Sequence, residues 1–565
     1  MLNVCCKPLL VVIFIVLFTF QAYTQSNTSA YKEELGKVEG KLREGNLTGA
    51  LEIIDNILIN DPKAAEVFYA KALLLGQVGN IDLAIDNANK AYELEPSVLY
   101  ANYLIELYKS KKDLVKSIDL LQDAQSRFPD YTSLSRELIV NLGFADKLEE
   151  ALLVYNKEVT KGFHSDTLDV ALADVYYHSG KVKEAIALLQ PWVGKSTLTS
   201  LYGRLGYGFM QEKKYKNAIS LLEEGILKTD DDILYLDLAD AYRLDGKPKM
   251  TFEVLDKAFK SDKVDYLHKY RVMLDLLGPN MTTLNNDQIQ SLANTLVLVH
   301  PRIAESHMIK GEILWKRGNT AEAKSLFLTA VGIAPNQIDG WRMLINVDLA
   351  MKDVDSAIKH SKEALAANPG NPALLYFAGL SYLVKEDTNS AREALEAGLN
   401  NSVNENAYLQ SMIYGALGDV YHKLEMDAAS DVAYEEAIKL DSTNTMAMNN
   451  LAYYLSLRKK DLEKAAKYSF KSIELEPNTP TFQDTYAWVL FQQGNYTESL
   501  KWIEKALKGA KGDNAVLVEH YGDVLSQLGK TKEALKQWHK ALLQTSKPEE
   551  KAKIEEKIKL KKYVE

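Results

Sequence analysis

The chain has 565 residues, more than one compact hydrophobic core accommodates, and its 47% hydrophobic and 25% charged residues are typical of a soluble protein. The formal net charge is −10 and no stretch has a strong excess of Lys and Arg, which argues against a nucleic-acid-binding surface. Only 14 residues are proline and long β-rich stretches are absent, so the composition disfavours a β-sheet protein.

The first residues have the pattern of a secretory signal. Residues 9–20 form an apolar run of twelve, shorter than the ~20 that a membrane-spanning helix needs. We predict a signal peptide over residues 1–24 with cleavage after Thr24; a short uncleaved anchor is the alternative. Cys5 and Cys6 are the only cysteines and precede the apolar run. The mature chain therefore has no disulfides and is not a lipoprotein.

The remainder of the chain repeats with a period near 34 residues. Prolines recur 33 or 34 residues apart at Pro62, Pro96 and Pro129, and again at Pro301, Pro335 and Pro369. Helical segments carry alanines two turns apart, so that both face one neighbour: Ala84 and Ala91, Ala323 and Ala330, Ala357 and Ala364, Ala534 and Ala541. In many units another helical segment precedes the alanine-bearing one and contains one small residue. These residues are Ala72, Ala173, Gly206, Ala239, Gly311, Gly379, Gly418, Ala452, Ala487 and Gly522.

This unit, two helices joined by a turn such as "GN", "GK" or "KD", resembles the tetratricopeptide repeat family. Segments such as "YAWVLFQQGNYTESLKWIEKAL" and "YGDVLSQLGKTKEALKQWHKAL" carry the resemblance, which extends over about fourteen to fifteen units in residues 31–545. The resemblance implies an all-α fold, a right-handed superhelical α-solenoid of helix–turn–helix repeats.

"QPWVGKST", residues 190–197, ends like a nucleotide-binding P-loop. A P-loop needs a glycine five residues before Gly194 and a preceding β-strand, but Leu189 stands there and the preceding apolar residues have helix spacing. Pro191 also lies where the loop would need free backbone donors. We therefore predict a linker between two helices and no nucleotide binding.

One unit departs from the repeat. In residues 263–302, Ile289 and Leu296 stand where alanines are expected, and the loop "GPNMTTLNN" is long. Bulkier residues push helices apart, so we expect an altered stacking angle and a junction between two arrays, residues 30–262 and 303–545. Residues 546–565 are predicted to form a capping helix, which solenoids need at their last apolar face. A membrane-surface or partner-binding role for its lysines is the alternative.

No catalytic constellation is present. The sequence has no HExxH or GxSxG motif and no dinucleotide-binding fingerprint. Without cysteine the mature chain cannot form thiolate zinc sites, and the repeats leave no room for a catalytic domain. We predict a protein that is not an enzyme and holds no cofactor or metal; an enzyme with an unrecognised site is the alternative.

The resemblance implies a concave groove, lined by the first helices, as the binding site. The residue after each small first-helix residue should point into it: Leu73, Asp174, Tyr207, Asp240, Glu312, Leu380, Asp419, Tyr453, Trp488 and Asp523. Five of these ten are acidic, so we expect a negatively charged groove. The alternative is that the acids pair with lysines of neighbouring helices.

Aromatic residues mark the C-terminal part of this groove. Tyr453, Trp488 and Asp523 recur 35 residues apart, and Asp484 and Phe491 lie one turn on either side of Trp488. An aromatic pair beside carboxylates can anchor a peptide side chain or a sugar face. The alternative is that Trp488 belongs to the core between units.

These patterns predict an exported, non-enzymatic scaffold in the periplasm or secreted, which binds a protein or peptide partner and takes part in envelope or secretion assembly. The signal and Gln25 resemble those of periplasmic repeat proteins of Bacteroidota. We expect no nucleic-acid partner and no membrane span after signal cleavage. The alternative function is binding of a glycan or small ligand in the aromatic and acidic groove.

Overall fold

The structure is a computed structural model that describes residues 31–278, 283–403, 405–510 and 514–564. The predicted signal peptide, both cysteines and Gln25 lie outside the described residues. The chain divides into two compact units, unit 1 up to Gln288 and unit 2 from Ile289. The division falls within residues 263–302, but the bounds of the junction, of the two arrays and of the capping segment stay predictions.

Helices account for all regular structure in the described part of unit 1. They are α1 Lys32–Arg43, α2 Leu47–Asn60, α3 Ala65–Gln77, α4 Ile81–Leu94, α5 Val98–Ser110, α6 Leu114–Arg127, α7 Thr132–Phe144, α8 Leu148–Thr160, α9 Asp166–His178, α10 Val182–Leu189, α11 Thr199–Gln211, α12 Tyr215–Thr229, α13 Leu234–Leu244, α14 Pro248–Lys260 and α15 Tyr266–Leu277. A 3₁₀ turn, Gln190–Trp192, extends α10.

Unit 2 is equally helical over its described residues. Helix α16 Asn286–Val299 spans the division, and it is followed by α17 Ala304–Lys316, α18 Thr320–Ile333, α19 Ile338–Ala350, α20 Val354–Ala367, α21 Pro372–Val384, α22 Thr388–Asn401, α23 Ala407–Lys423, α24 Asp427–Leu440, α25 Thr445–Leu457, α26 Leu462–Leu475, α27 Pro480–Gln492, α28 Tyr496–Gly509, α29 Ala515–Gln527, α30 Thr531–Gln544 and α31 Pro548–Leu560. The predicted all-α solenoid fold is confirmed. Within the described ranges, no helix is both long enough and apolar enough to cross a membrane.

Consecutive helices pack as antiparallel pairs, and each unit contains seven such pairs among its described residues, α1–α14 and α17–α30. The first helices of successive pairs within a unit also contact one another and form an inner layer. The alanines predicted to face a neighbour are buried, with exposures of 0–1%. Small side chains at these points allow the close approach of helix backbones that the repeat requires.

Each first helix ends in the same way. The second residue after it adopts a positive φ, which reverses the chain into the second helix of the pair. Half of these fourteen positions are glycine, which adopts this conformation without strain: Gly45, Gly79, Gly180, Gly246, Gly318, Gly494 and Gly529. The others are Lys112, Asp146, Lys213, Lys352, Glu386, Glu425 and Lys459.

Size complementarity joins the two helices of several pairs. A first-helix glycine lies opposite a bulky second-helix residue sixteen positions later. The pairs are Gly206 with Leu222, Gly311 with Phe327, Gly379 with Leu395, Gly418 with Tyr434 and Gly522 with Trp538. A Cβ added at Gly522 would lie 2.6 Å from the Trp538 indole, so no larger residue fits without a shift.

"QPWVGKST" is the linker between α10 and α11 that the sequence predicts. Ser196 is buried and its hydroxyl donates to Asp166, with 2.6 Å between the oxygens. Tyr202 of α11 donates to the Ser196 carbonyl oxygen at 3.1 Å. Ser196 of the P-loop-like sequence thus forms hydrogen bonds to both of the neighbouring repeats. Lys195 is exposed.

Candidate functional site

The predicted groove positions of unit 1 lie on the inner layer and are partly or fully accessible. Tyr207 is 44% exposed and its ring meets that of Tyr177 edge-on, with centroids 5.2 Å apart. Asp174 pairs with Arg204, and Asp240 pairs with Arg243 at 2.9 Å. Both predicted acids of this unit therefore have an arginine partner, but only Arg204 lies on a neighbouring helix, whereas Arg243 lies on the same helix as Asp240; the predicted pairing with lysines of neighbouring helices is not what the structure shows. Leu73 and, in unit 2, Leu380 pack against the core.

A carboxylate that the sequence did not single out lies in the same layer. Asp237 is partly buried on α13, and burial, followed by the negative charge of Asp240, raises its pKa from 3.8 to about 6. Arg204 and His268 oppose this shift. Asp237 is thus an ionisable group that destabilises the fold when it is charged.

Of the three acidic groove positions in unit 2 that directly follow a small first-helix residue, two are also ion-paired. Glu312 pairs with Lys316 at 2.7 Å, and Asp523 pairs with Lys557 at 2.8 Å. Asp419 differs, because no cation pairs with its carboxylate among the described residues. Its Oδ1 accepts hydrogen bonds from the hydroxyl of Tyr434 and from Asn450, the latter at 3.0 Å.

The environment of Asp419 is apolar enough to disfavour its charge. Burial raises the pKa of this carboxyl group above its ordinary value, and the hydrogen bonds from Tyr434 and Asn450, followed by the nearby His422 and Lys423, oppose the shift. A partly buried carboxylate without an ion-pair partner at contact distance gains stabilisation when a basic group approaches it, because the charge is then compensated where water screens it poorly.

Asp419 lines a cavity of about 400 Å³ between the first helices α21, α23 and α25. The walls are aromatic and thioether side chains, namely Tyr376, Tyr408, Met412 and Met446. Asp441 contributes a second carboxylate at the rim, and its Oδ1 accepts a hydrogen bond from the backbone of Thr443 at 2.9 Å. No Lys, Arg or His occurs among the residues that line the cavity. We call this site the Asp419 cavity.

Sequence reasoning found Asp419 but missed the walls of its cavity. Tyr408, Met412, Gly415 and Asp419 lie at intervals of three and four residues, so they share one face of α23. This helix has 17 residues, more than the first helices before and after it, and its additional first turn includes Tyr408. The apolar stripe leading to a single acid was the signal that could have indicated the cavity.

The other candidate site of unit 2 is closed. The structure buries Trp488, Phe491 and Asp523, which are only 6%, 4% and 1% exposed, although all three were expected to line an open groove. Trp488 stacks on Phe491 and on His520, with ring centroids 4.8 and 4.1 Å apart. Tyr453 is partly buried beside them. The burial of Trp488 agrees with the alternative that assigned it to the core.

The charged groups of this cluster are paired with one another. Burial lowers the pKa of His520, but the carboxylate of Asp484, 2.9 Å from its Nδ1, raises the pKa above the ordinary value. Burial raises the pKa of Asp523 to about 6, and Lys557 opposes that shift. Asp523 also accepts a hydrogen bond from the Trp538 indole at 2.9 Å.

The physical reason for this closure is the C-terminal segment, residues 548–564. The prediction of the groove positions did not take this segment into account. Lys557 of α31 reaches Asp523, and the ring of Tyr563 meets that of Phe491 with centroids 5.1 Å apart. Taking the residue after each small first-helix residue as a groove position is valid only where no other segment covers the inner layer. At this end of unit 2 the chain itself covers it.

The described residues contain no group of three or more His, Cys, Asp or Glu side chains that could hold a metal ion. The Asp419 cavity, an apolar surface with the carboxylates of Asp419 and Asp441, suits recognition of a side chain.

Comparison with known proteins agrees with the repeat geometry. Family models described as tetratricopeptide repeat match residues 65–98, 290–338, 348–413 and 413–444. A TPR repeat-containing protein from Methanocaldococcus jannaschii is 22% identical over 423 residues, which cover 70% of this chain and 71% of that protein.

Other similarities cover less of the relative or are more distant. Protein O-mannosyl-transferase TMTC3 from Homo sapiens is 22% identical over 280 residues, which cover 46% of this chain. The match spans only 30% of that relative's own length. The crystal structure of yeast Tom70 aligns with 77% of this chain and 96% of its own, at 17% identity and a TM-score of 0.35.

Proposed function

The chain belongs to the tetratricopeptide repeat family, and we propose that it is a non-enzymatic scaffold that binds a basic segment of a protein partner at the Asp419 cavity. Repeats of this kind support protein–protein interaction. The observation that carries the proposal is the contrast between Asp419 and the other four acidic residues that directly follow a small first-helix residue. Those four have a cation beside them, whereas Asp419 is partly buried and has only neutral hydrogen-bond donors.

The shape and chemistry of the cavity favour a Lys or Arg side chain. Both residues have a long aliphatic stem that packs on apolar surface while the charged head reaches a polar group. Here Met412 and Met446 can contact the stem, and the rings of Tyr376 and Tyr408 can face the cation. With Asp419 and Asp441 as the only charged lining residues, the cavity selects positive charge.

The experiment compares wild-type protein with Asp419→Asn on an immobilised array of 15-residue peptides of varied sequence. Wild-type binding should be enriched in peptides with Lys or Arg flanked by apolar residues, and Asp419→Asn should weaken those signals by tenfold or more. The matched control is Asp240→Asn, which removes an acid that is already paired with Arg243 and should leave the pattern unchanged. Equal loss in both variants, or no enrichment in basic peptides, would contradict the proposal.

We further propose that the protein is exported, acts in the periplasm or outside the cell, and takes part in envelope or secretion assembly. The apolar run of residues 9–20, with small residues after it, supports this. N-terminal sequencing of the protein from an extracytoplasmic fraction should give a start near Gln25. Recovery of membrane-bound protein that begins at Met1 would contradict cleavage.

We also propose that the transferase activity in the name of TMTC3 does not extend to this chain, since the match covers only 30% of that protein. The alternative of glycan binding required the faces of Trp488 and Phe491, which are buried.

A further inference from the structure

The C-terminal segment does more than cover the last helix pair. Helix α31 packs on α30, as a cap would. However, Lys557 reaches α29, and Tyr563 contacts Phe491 on α27. The backbone N–H of Tyr563 also donates to the hydroxyl of Ser526, 3.0 Å away. The segment therefore lies on the first helices of two successive pairs, the layer at which this family of folds presents its binding surface.

Its influence extends to a third first helix, α25. Burial, followed by the negative charges of Asp484, Glu519 and Glu550, raises the pKa of Tyr453 to about 12. Glu550 belongs to the first turn of α31, so this end of the segment faces α25.

The contact that fixes the segment is ionic and buried. Lys557 is 5% exposed, and its Nζ donates to Glu519 at 2.6 Å and to Asp523 at 2.8 Å. A cap needs only an apolar stripe, and a buried ion pair commonly contributes less to stability than apolar packing of similar volume, because both charges lose water. A buried ammonium between two carboxylates instead specifies which side chain is accepted.

One buried polar group in the cluster that Tyr563 contacts has no hydrogen-bond partner among the described residues. The indole N–H of Trp488, a residue that is 94% buried, has no hydrogen-bond acceptor in the described part of the chain. Native proteins rarely leave such a donor unpaired.

The segment is also held by few side chains. Within α31 only Ile554 and Lys557 are buried, and Ile558 is partly buried. Most of its other residues are exposed and charged, and residues 545–547 connect it to α30. Elements with few buried contacts open more readily than the rest of a fold.

We propose that the C-terminal segment is an internal ligand: it occupies a binding slot on α27 and α29 that otherwise takes a partner segment with a basic and an aromatic side chain. In this chain the two anchors are Lys557 and Tyr563, six residues apart. The partner's basic group replaces Lys557 between Glu519 and Asp523, and its aromatic ring replaces Tyr563 on Phe491. The slot is separate from the Asp419 cavity and does not depend on it.

The test uses the full chain and a fluorescent synthetic peptide of residues 546–565 as the probe. In the Lys557→Glu variant the new carboxylate repels Glu519 and Asp523, so the tethered segment leaves and the slot opens. We expect the peptide to bind this variant at least tenfold more tightly than wild-type protein. A peptide that itself carries Lys557→Glu, or Tyr563→Ala, should bind the open variant at least tenfold more weakly.

Lys553→Glu is the matched control, because Lys553 is an exposed lysine on the same helix. This variant should stay closed and bind no more peptide than wild type. The proposal is overturned when folded Lys557→Glu protein binds no peptide, or when the control binds it equally well.

Wild-type protein provides a second measurement in case Lys557→Glu does not fold. Hydrogen exchange should show the backbone amides of α31 exchanging at least tenfold faster than those of α30, since a displaceable segment opens on its own. Equal protection of the two helices would mean that α31 is an integral cap, and would overturn the proposal.

Discussion

The contact between Gly418 and Tyr434 gives the sharpest test of the packing. Gly418 lies on α23, and a Cβ added there would be 2.5, 2.6 and 2.7 Å from three atoms of the Tyr434 ring. Tyr434 is 1% exposed, and its hydroxyl is held by Asp419, so the ring has little freedom to move. Overpacking of this kind costs about 1–3 kcal/mol. Replacing Gly by Ala in a helix returns about 1 kcal/mol of helix propensity, so Gly418→Ala should lower the free energy of unfolding by up to about 2 kcal/mol.

Gly415 provides the control three residues earlier in the same helix. The nearest atom to a Cβ added there is Nδ2 of Asn444 at 3.8 Å, an ordinary van der Waals distance. Gly415→Ala should therefore keep the gain in helix propensity and stabilise the protein by about 0.5–1 kcal/mol.

Urea denaturation of the three proteins, followed by far-ultraviolet circular dichroism, measures both effects. Because repeat proteins are stabilised mainly by contacts between neighbouring units, hydrogen exchange in α23 and α24 should report the loss locally even if global unfolding has several steps. If Gly418→Ala were as stable as Gly415→Ala, the two helices of this pair would not be in the close contact described.

Other substitutions test other parts of the structure. Trp488→Ala should lower the free energy of unfolding by about 3–5 kcal/mol, whereas Trp488→Phe, which also removes the unpaired N–H, should cost less than about 1 kcal/mol; similar losses in thermal melts would contradict this. Asp237→Asn should stabilise the protein at pH 7 by up to about 3 kcal/mol, because the folded-state pKa is raised to about 6 and ionisation opposes folding above it. This gain should shrink as the pH falls from about 6 and disappear below about pH 4, where both the folded and the unfolded chain are protonated, so melts at pH 7 and pH 4 that show the same gain would refute it. Lys352→Gly should raise the free energy of unfolding by about 0.5–1 kcal/mol, because glycine adopts the φ of 60° at this position without strain. An unchanged urea midpoint would argue against backbone strain at Lys352. Ala357→Leu should lower the free energy of unfolding by about 1–3 kcal/mol and broaden the calorimetric transition. An unchanged calorimetric trace would mean that Ala357 does not face the adjacent helix.

The sequence predicted the fold because the repeat is encoded locally. Alanine pairs such as Ala84 and Ala91 identify the contact face of a helix, and Pro96 marks its end two residues after Leu94. These signals depend only on spacing along one or two helices. They recur in many units, so an error in one unit, such as that containing Ile289, does not affect the whole interpretation.

The candidate sites could be predicted only in part, because they depend on what packs over the inner layer. Asp419 and Asp523 were both predicted to lie in the groove, since each follows a first-helix glycine. Nothing in the local pattern indicates that Lys557, 34 residues after Asp523, turns back and neutralises it. Nor does the pattern show that Asp419 has neutral hydrogen-bond donors while Asp240 has an arginine. Such differences arise from side-chain contacts between helices, which sequence periodicity does not specify.

The pairing of small and bulky residues within each helix pair has a consequence for recombination and for the construction of chimeras. Gly522 and Trp538 match in size, as do Ala487 and Ile503, but the two sets are not interchangeable: the methyl group of an alanine in place of Gly522 would lie 2.6 Å from the indole. A whole helix pair contains both the small residue and the bulky residue that packs on it, so the pair can be moved as a cassette. A single transplanted helix would instead leave a steric clash or a cavity against its new partner helix. Productive crossover points are therefore the linkers between pairs, and the turns inside them are poor places to cut.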